Sequence, residues 1–381
     1  MKNRHFLILI TFVLTTIFTS NTSAQVSPQW HLPVGAKARL GKGTINEVKY
    51  SPDGTRLAVA SSIGIWIYDA QTGEALDLIS GYTGEVYSVA FSPDGNTLAS
   101  VSRVLGRDFN INTIHLWDVS TGMLIRTLPG QWTIYSIAFS PDGNTLATGS
   151  KGIVLSEVST GKRIKTLTGD TSWVHSLSFS PNGNTLAGGG RDGTIHLWDV
   201  STGENIRTLT EHEQGVSRVL FSPDGNTLAS ESREGIFLWD VSTGTHIRTL
   251  TGGYGSFSPD GNILASRSSE GIGLFDMSTG ENIKTLTGQT NWVYSVAFSP
   301  DGNTISSVSP REIHLWDVST GENIKTTPGL SGHGRIDSVA FSPGGNILAS
   351  RSGREIRLFD VSTGAHQNAN GTYKEYHESI V

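Results

Sequence analysis

The sequence predicts an all-β fold in which eight copies of one four-stranded unit close into a ring. Three observations carry that prediction. A string reading FSPDG, or a close variant, begins at Tyr50, Phe91, Phe139, Phe179, Phe221, Phe257, Phe298 and Phe341, at spacings of 41, 48, 40, 42, 36, 41 and 43 residues. A second string follows each copy: IHLWDVSTG from Ile114, Ile195 and Ile313, IFLWDVSTG from Ile236 and IWIYDAQTG from Ile65, with looser versions from Ile153, Ile272 and Ile356. Composition agrees, since 45 glycines and only 16% charged residues suit short strands and tight turns rather than a helical bundle. Self-similarity at a fixed period is the mark of a repeat architecture.

Within one unit the strands follow in order. Val86 to Phe91 is the first, mixed on both faces, with small Ser88 and Ala90 opposite large Val89 and Phe91, which suits a sheet sandwiched between neighbouring sheets. The Ser-Pro-Asp-Gly segment after it is a hairpin turn, because Pro presets φ and Gly supplies the positive φ that closes it. Thr97 to Val101 is the second strand, and Thr113 to Val119, β-branched and aromatic, is the third. Ser120-Thr121-Gly122 turns the chain into the fourth, Leu124 to Leu128. Beyond Asp360 no further alternating apolar strand appears, whereas Val34 to Leu40 precedes the first complete unit. The N-terminal segment is therefore expected to supply the outer strand of the last unit, leaving no open sheet edge. A ring of seven with one unit displaced is the alternative. The sixth unit is the weak one: Leu250 to Phe257 is five residues shorter than Leu286 to Phe298, which predicts a shallow or frayed sheet that has lost most of its innermost strand, or a unit that fails to join the ring.

The FSPDG turn, the LWD ending and the period resemble WD40 repeats, and the resemblance covers residues about 36 to 364. It implies an eight-bladed WD40-type β-propeller, here with a signal peptide at 1–24, the propeller at 34–364 and a poorly ordered tail at 365–381.

Met1 to His5 is short and basic, Phe6 to Phe18 is largely apolar, and Thr22-Ser23-Ala24 is a small-x-small cleavage site, so the chain reads as exported, to the periplasm or outside the cell. No cysteine is present, which removes disulfides, thiolate metal sites and a thiol nucleophile. The formal charge of −6, or −8 without Lys2 and Arg4, excludes the basic stripe that would draw nucleic acid or anionic lipid.

WD40 blades often carry a buried network of an Asp, a His, a Ser and the Trp of the third strand. Asp192 and Trp198 keep the family spacing, but the matching His position is Asp170. The nearest to a full set is His212, Ser230, Glu234 and Trp239, with Glu in place of Asp, and His333 is the one Gly-His pair. A polar network fixing a turn is the expected role, against a catalytic His and carboxylate. Ser159-Thr160-Gly161-Lys162 and Gly188-Gly189-Gly190 are chance matches to catalytic and phosphate-binding motifs, because the first sits in the recurring turn and the second opens no helix. The Asp-Gly turns are hairpins, not calcium sites.

Two departures from the repeat share one face in the family. Leu98 to Trp117 spans 19 positions against 12 from Leu186 to Trp198, and the extra loop, about 104 to 110, carries Arg107, Asp108 and Phe109. On the connections leading into the first strands stand Tyr82, Trp132, Trp173, Tyr254 and Trp292. These aromatics either cap blade-to-blade packing or form a stacking platform for a partner. The expected function is a non-catalytic scaffold, monomeric, without cofactor or metal, binding a protein or peptide through this top face. A carbohydrate-binding or polymer-degrading propeller enzyme is the alternative; channel-side positions reading Ser, Ala and Val argue against it.

Overall fold

The computed structural model describes residues 36–362 apart from 41–42, 81–83, 106–109, 129–132, 168–172, 269–270, 290–291, 311, 329–335 and 353–354; of residues 36–40, 104–105, 110–111, 254, 268 and 328 it describes the backbone only. The signal-peptide segment and the tail therefore lie outside the described residues. Among the described residues, 32 strands form eight four-stranded antiparallel sheets, and no helix is long and apolar enough to cross a membrane.

Seven sheets, blades one to seven, each take four consecutive strands; in blade one these are Ile45–Tyr50, Arg56–Ser61, Gly64–Asp69 and Ala75–Ile79. The eighth uses Ile336–Phe341, Ile347–Ser352 and Glu355–Asp360 and completes itself with Ala36–Leu40, which pairs antiparallel with its third strand. The expected N-terminal closure is what the structure has, and the seven-bladed alternative is excluded.

Alternation along each strand builds the ring. In blade four, Ile195 and Leu197 face Val216, Val219 and Phe221 of blade five, while the next residue, Trp198, points the other way, onto Ala147, Ile153 and Leu155 of blade three. Each of the eight junctions has one such core. The last joins Ile347, Ala349, Ile356 and Leu358 of blade eight to Ile45, Leu57 and Val59 of blade one, so burial is continuous around the circle. Core residues are almost fully excluded from water, for example Leu57, Leu98, Leu116 and Trp198 at 0% exposure.

The Ser-Pro-Asp-Gly turns tie the blades a second time. Ser92 Oγ donates to Asp94 Oδ1 at 2.5 Å and accepts from the Thr97 amide at 2.9 Å, and Gly95 closes the turn at φ +74°. A Cβ on Gly95 would lie 3.5 Å from Pro52 Cδ of the preceding blade's turn. The same Gly-on-Pro contact recurs at every junction, from Gly143 on Pro93 round to Gly54 on Pro343. At the outer rim, the basic residue of a fourth strand donates to a carbonyl of the next blade's Ser-Thr-Gly turn: Arg126 to Ser159 O at 3.0 Å, Arg207 to Ser242 O at 2.9 Å and Arg248 to Thr279 O at 2.7 Å.

Two sequence expectations are corrected. The sixth blade is complete: Gly253–Phe257 is a five-residue inner strand in register with Ile263–Ser268. The apolar residues its shortened lead-in lacks are replaced from blade five, where buried Glu231 accepts from the Gly255 amide at 2.9 Å and Arg218 donates to Gly255 O at 2.9 Å. Burial raises the pKa of the Glu231 carboxyl, opposed by the nearby Arg218 charge. In blade two, strand pairing runs into the expected loop from both sides, because Thr97–Leu105 and Asn110–Asp118, nine residues each, pair antiparallel as far as Leu105 and Asn110, while 106–109 lie outside the described residues.

Candidate functional site

The first strands line the channel, and their second residue (the third in blade two) is where the face is decorated. In blades one, two, four, six and eight the register slips at that residue (Asn46, Tyr87, His175, Tyr254 and Asp337), a bulge. A bulge leaves one residue unpaired and re-aims its side chain, and bulges gather beside functional sites. The equivalent residue of blade three is Tyr135, whose strand begins one residue later, at Ser136.

These positions converge in blades two to four. The Tyr87 hydroxyl donates to Ile134 O of blade three at 2.7 Å, and burial keeps its phenol neutral well above the usual range. Tyr135, 43% exposed, lies 4.7 Å from the His175 ring and meets Trp173 edge-on at 5.9 Å. Burial and then the Arg191 charge lower the His175 pKa. Tyr87, Tyr135, Trp173 and His175 thus form one aromatic arc at the channel mouth, with Arg191 beside it.

Below the arc the channel wall holds a cavity of about 330 Å³ between blades eight, one, two and three. Tyr87 and Tyr135 of the arc line it together with Asn46, Glu47, Lys49, Ser338 and Arg351. Glu47 Oε2 accepts from Ser88 Oγ and from the Val89 amide, each at 2.9 Å, and Lys49 Nζ lies 3.2 Å from Glu47 Oε1. The Arg351 guanidinium donates to Asn46 O. The expectation of a channel lined only by Ser, Ala and Val is corrected here: Glu47 and Lys49 stand where blade two has Ser88 and Ala90, and Arg351 stands where blade two has Val101.

Of the residues proposed from sequence for the top face, Trp173 belongs to the arc and Trp292 stands 75% exposed, apart from any described ring contact. Tyr82, Arg107, Asp108, Phe109 and Trp132 lie outside the described residues, and Tyr254 is described only as backbone of Gly253–Phe257. Tyr87, Tyr135 and His175 were missed; the signal was a ring side chain at the same place in three successive first strands.

The polar network assembles in blade five. Ser230 Oγ accepts from Trp239 Nε1 at 2.7 Å and pairs with His212 Nε2 at 2.6 Å, while His212 Nδ1 lies 3.4 Å from Glu234 Oε2. The donors balance if Ser230 donates to Nε2 and Nδ1–H points at Glu234. The order Ser, His, carboxylate has the connectivity of a nucleophilic triad. Ser230 is fully buried, however, and its oxygen already holds the indole, so the set clamps the loop before the first strand onto the blade. Burial lowers the His212 pKa, opposed by Glu234.

In blade four the set does not form. Asp192 holds its own turn through the Thr194 amide at 3.1 Å and hydroxyl at 2.7 Å. Trp198 packs over Gly188, which stands in the place of Ser230, so its Nε1 meets no acceptor. Asp170 and His333 lie outside the described residues. Blade seven carries an unforeseen equivalent: Ser307 Oγ donates to Gln289 Oε1 at 2.8 Å and accepts from Trp316 Nε1 at 2.8 Å. Gln289 stands three residues past the end of the preceding fourth strand, the offset of His212. Among the described residues no group of three His, Asp or Glu is placed to hold a metal ion.

Comparison with known proteins agrees with this geometry. The profile of the WD domain, G-beta repeat family matches residues 73–111, 122–155, 161–199, 203–240, 280–317 and 321–360. The sixth blade's stretch between 240 and 280 is passed over, although it folds like the rest. WD repeat-containing protein 1 of Rattus norvegicus is 37% identical over 89 residues, which is 22% of this chain and 14% of that protein. A WD repeat-containing protein of Synechocystis is 38% identical over 82 residues, 22% of each chain. The match thus spans less than a quarter of either relative. The crystal structure of the computationally designed Ika8 protein superposes with a TM-score of 0.72 at 24% identity, over 86% of this chain and all of that one, which shows a shared fold.

Proposed function

This chain belongs to the WD40 family, and on that premise we propose that it is a non-catalytic binding scaffold whose top face engages a protein or peptide. WD40 propellers typically serve as protein-interaction scaffolds. The observation that carries the reading is the arc Tyr87, Tyr135, Trp173 and His175 beside Arg191, at the channel cavity. Buried or half-buried aromatics with a flanking arginine are the side chains on which protein interfaces concentrate their energy. The buried state of Ser230 supports binding over chemistry, since no substrate reaches the one serine that, among the described residues, pairs with a histidine and a carboxylate.

We hold the export reading as part of the same proposal, resting on the basic, apolar and small-residue order of residues 1–24. The partner then acts outside the cytoplasm. N-terminal sequencing of the exported protein should begin at Gln25, and a chain retaining Met1 rejects that part.

The test uses immobilised protein to capture partners from envelope extract, alongside a Tyr135→Ala/Trp173→Ala double variant. A captured protein should be lost from the double variant while its thermal unfolding stays unchanged. Partners retained equally by both proteins, or turnover of a glycan or peptide substrate by the wild type, would reject the reading.

A further inference from the structure

We propose that the channel-wall cavity receives a carboxylate of the bound partner, carried by an acidic side chain or by a chain's C-terminus. The inference rests on the top-face reading above and adds the chemistry of the group that descends from the arc into the channel.

The cavity is donor-rich. Its one acidic wall residue, Glu47, is fully engaged, with Ser88 Oγ and the Val89 amide on Oε2 and Lys49 on Oε1. Asn46 directs its Nδ2 to Glu85 Oε1 and Val86 O, both at 2.8 Å. Donors remain among the described residues: Lys49 is half exposed, with one of three ammonium protons accounted for by Glu47, and Arg351 gives one N–H to Asn46 O with no further partner for its fork. The charged wall residues are thus Lys49 and Arg351 against Glu47, a net +1 set in a chain whose overall charge is −6. A planar guanidinium with free N–H groups matches a carboxylate bidentately, and the half-enclosed wall strengthens that contact relative to open water.

Size and walls set the rest of the group. About 330 Å³ admits an acidic side chain with part of its backbone, not a folded element. The Tyr87 and Tyr135 rings in its lining would cover an apolar or aromatic neighbour of the acid. Neither cation belongs to the core: Arg351 stands on the inner half of blade eight's second strand and Lys49 on blade one's first. Lys49 occurs where the other blades carry small or apolar side chains, so the fold does not call for it, whereas the Arg351 position is charged in two other blades, as Arg267 in blade six and Glu231 in blade five.

Isothermal titration of the full chain at about 0.05 and 0.15 M salt tests the idea with three acetylated probes. One is Gly-Ser-Phe-Glu with a free C-terminus, the second its C-terminal amide, and the third Gly-Ser-Phe-Gln amide. The first should bind at least about tenfold tighter than the third, the loss expected when a charge-assisted fork goes unmatched. The second separates the sources: affinity equal to the first assigns the side chain, and affinity equal to the third assigns the C-terminus. Lys49→Met and Arg351→Gln should each remove the discrimination. Because Arg351 also holds Asn46, Lys49→Met, which leaves that bond intact, guards against misfolding. No binding by any probe, equal binding of all three, or discrimination that survives Lys49→Met overturns the proposal. Capture of a partner that Tyr135→Ala/Trp173→Ala abolishes and Lys49→Met leaves alone would overturn it while leaving the scaffold reading intact.

Discussion

Replacing one serine per blade turns the repeat into its own control series. Ser230 accepts the Trp239 indole at 2.7 Å and pairs with His212 at 2.6 Å, and Ser307 does the same for Trp316 and Gln289 at 2.8 Å each. The equivalent Ser266 faces a blade with Phe275 in place of Trp, and its hydroxyl has only a long contact to Arg267 O at 3.4 Å. All three serines are fully buried, so the apolar change from Ser to Ala is matched and cancels in the comparison. Leaving a buried donor or acceptor unsatisfied costs about 1–3 kcal/mol per group. Ser230→Ala strands two groups, Trp239 Nε1 and His212 Nε2, and so does Ser307→Ala with Trp316 and Gln289. Each should destabilise by roughly 2–5 kcal/mol, allowing for partial relaxation of the His212 loop. Ser266→Ala strands nothing and should stay within about 0.5 kcal/mol. Urea unfolding followed by tryptophan fluorescence, with the m-value checked for constancy, reads the three values. If Ser230→Ala and Ser266→Ala fall within about 0.5 kcal/mol of each other, the network is decorative and the clamp assigned to blade five is wrong.

Four further outcomes follow from the same geometry. Gly225 sits at φ +76° with a prospective Cβ 3.1 Å from Pro181 Cδ, so Gly225→Ala should lower stability by about 1–3 kcal/mol, and an unchanged urea midpoint would refute the turn-to-turn contact. The void beside Ser156 in blade three is only about 30 Å³, room for one water and not for an indole, so restoring the repeat by Ser156→Trp should destabilise by about 1–3 kcal/mol rather than stabilise. Asp94, Asp142 and Asp224 are held below their usual pKa by the Ser hydroxyl first and a backbone amide second, and Asp118 and Asp240 fall to about 2. Depressed folded-state values mean stability that is fully present above about pH 4 and lost as pH falls toward 2, so thermal unfolding across pH 5 to 2 should show a steep decline, flattened in Asp118→Asn. Glu231→Ala should loosen the junction of blades five and six, seen as faster amide exchange at Gly255; protection equal to wild type would show that Arg218 alone holds it.

Much of this was readable in one dimension because the repeat reports eight times. The Pro-Asp-Gly turns, the alternating inward side chains of the third strands and the N-terminal outer strand all follow from period and alternation, which are local. What escaped was set by neighbours. The sixth inner strand looked absent because its apolar lead-in is missing, yet its amide is held by Glu231, an acid two blade-strands away that no window around Gly255 contains. The longer segment of blade two reads as a loop because its sequence holds glycine and charges, whereas cross-strand pairing carries Thr97–Leu105 and Asn110–Asp118 into it. On the top face, the aromatics of the connections stand out in the sequence and Trp173 is in the arc, whereas Tyr87 and His175 sit at strand bulges and Tyr135 just before its strand. The bulges recur at one place in five blades, so they leave no mark on the spacing of the repeats. Glu47, Lys49 and Arg351 were in plain view but come together only when blade eight meets blade one.

The contact of each turn's glycine with the previous turn's proline has a consequence for how such a chain can grow. A unit bears a socket on one side and a peg on the other, so its two faces are complementary to each other rather than each to itself, as in the head-to-tail interfaces of cyclic assemblies. Any in-frame copy inserted between two units arrives with both halves of a working joint, and needs no compensating change in its neighbours. The number of units is then limited by the angle each joint turns through, not by the chemistry of the joint. Gly54 on Pro343 is where that angle has summed to a full circle.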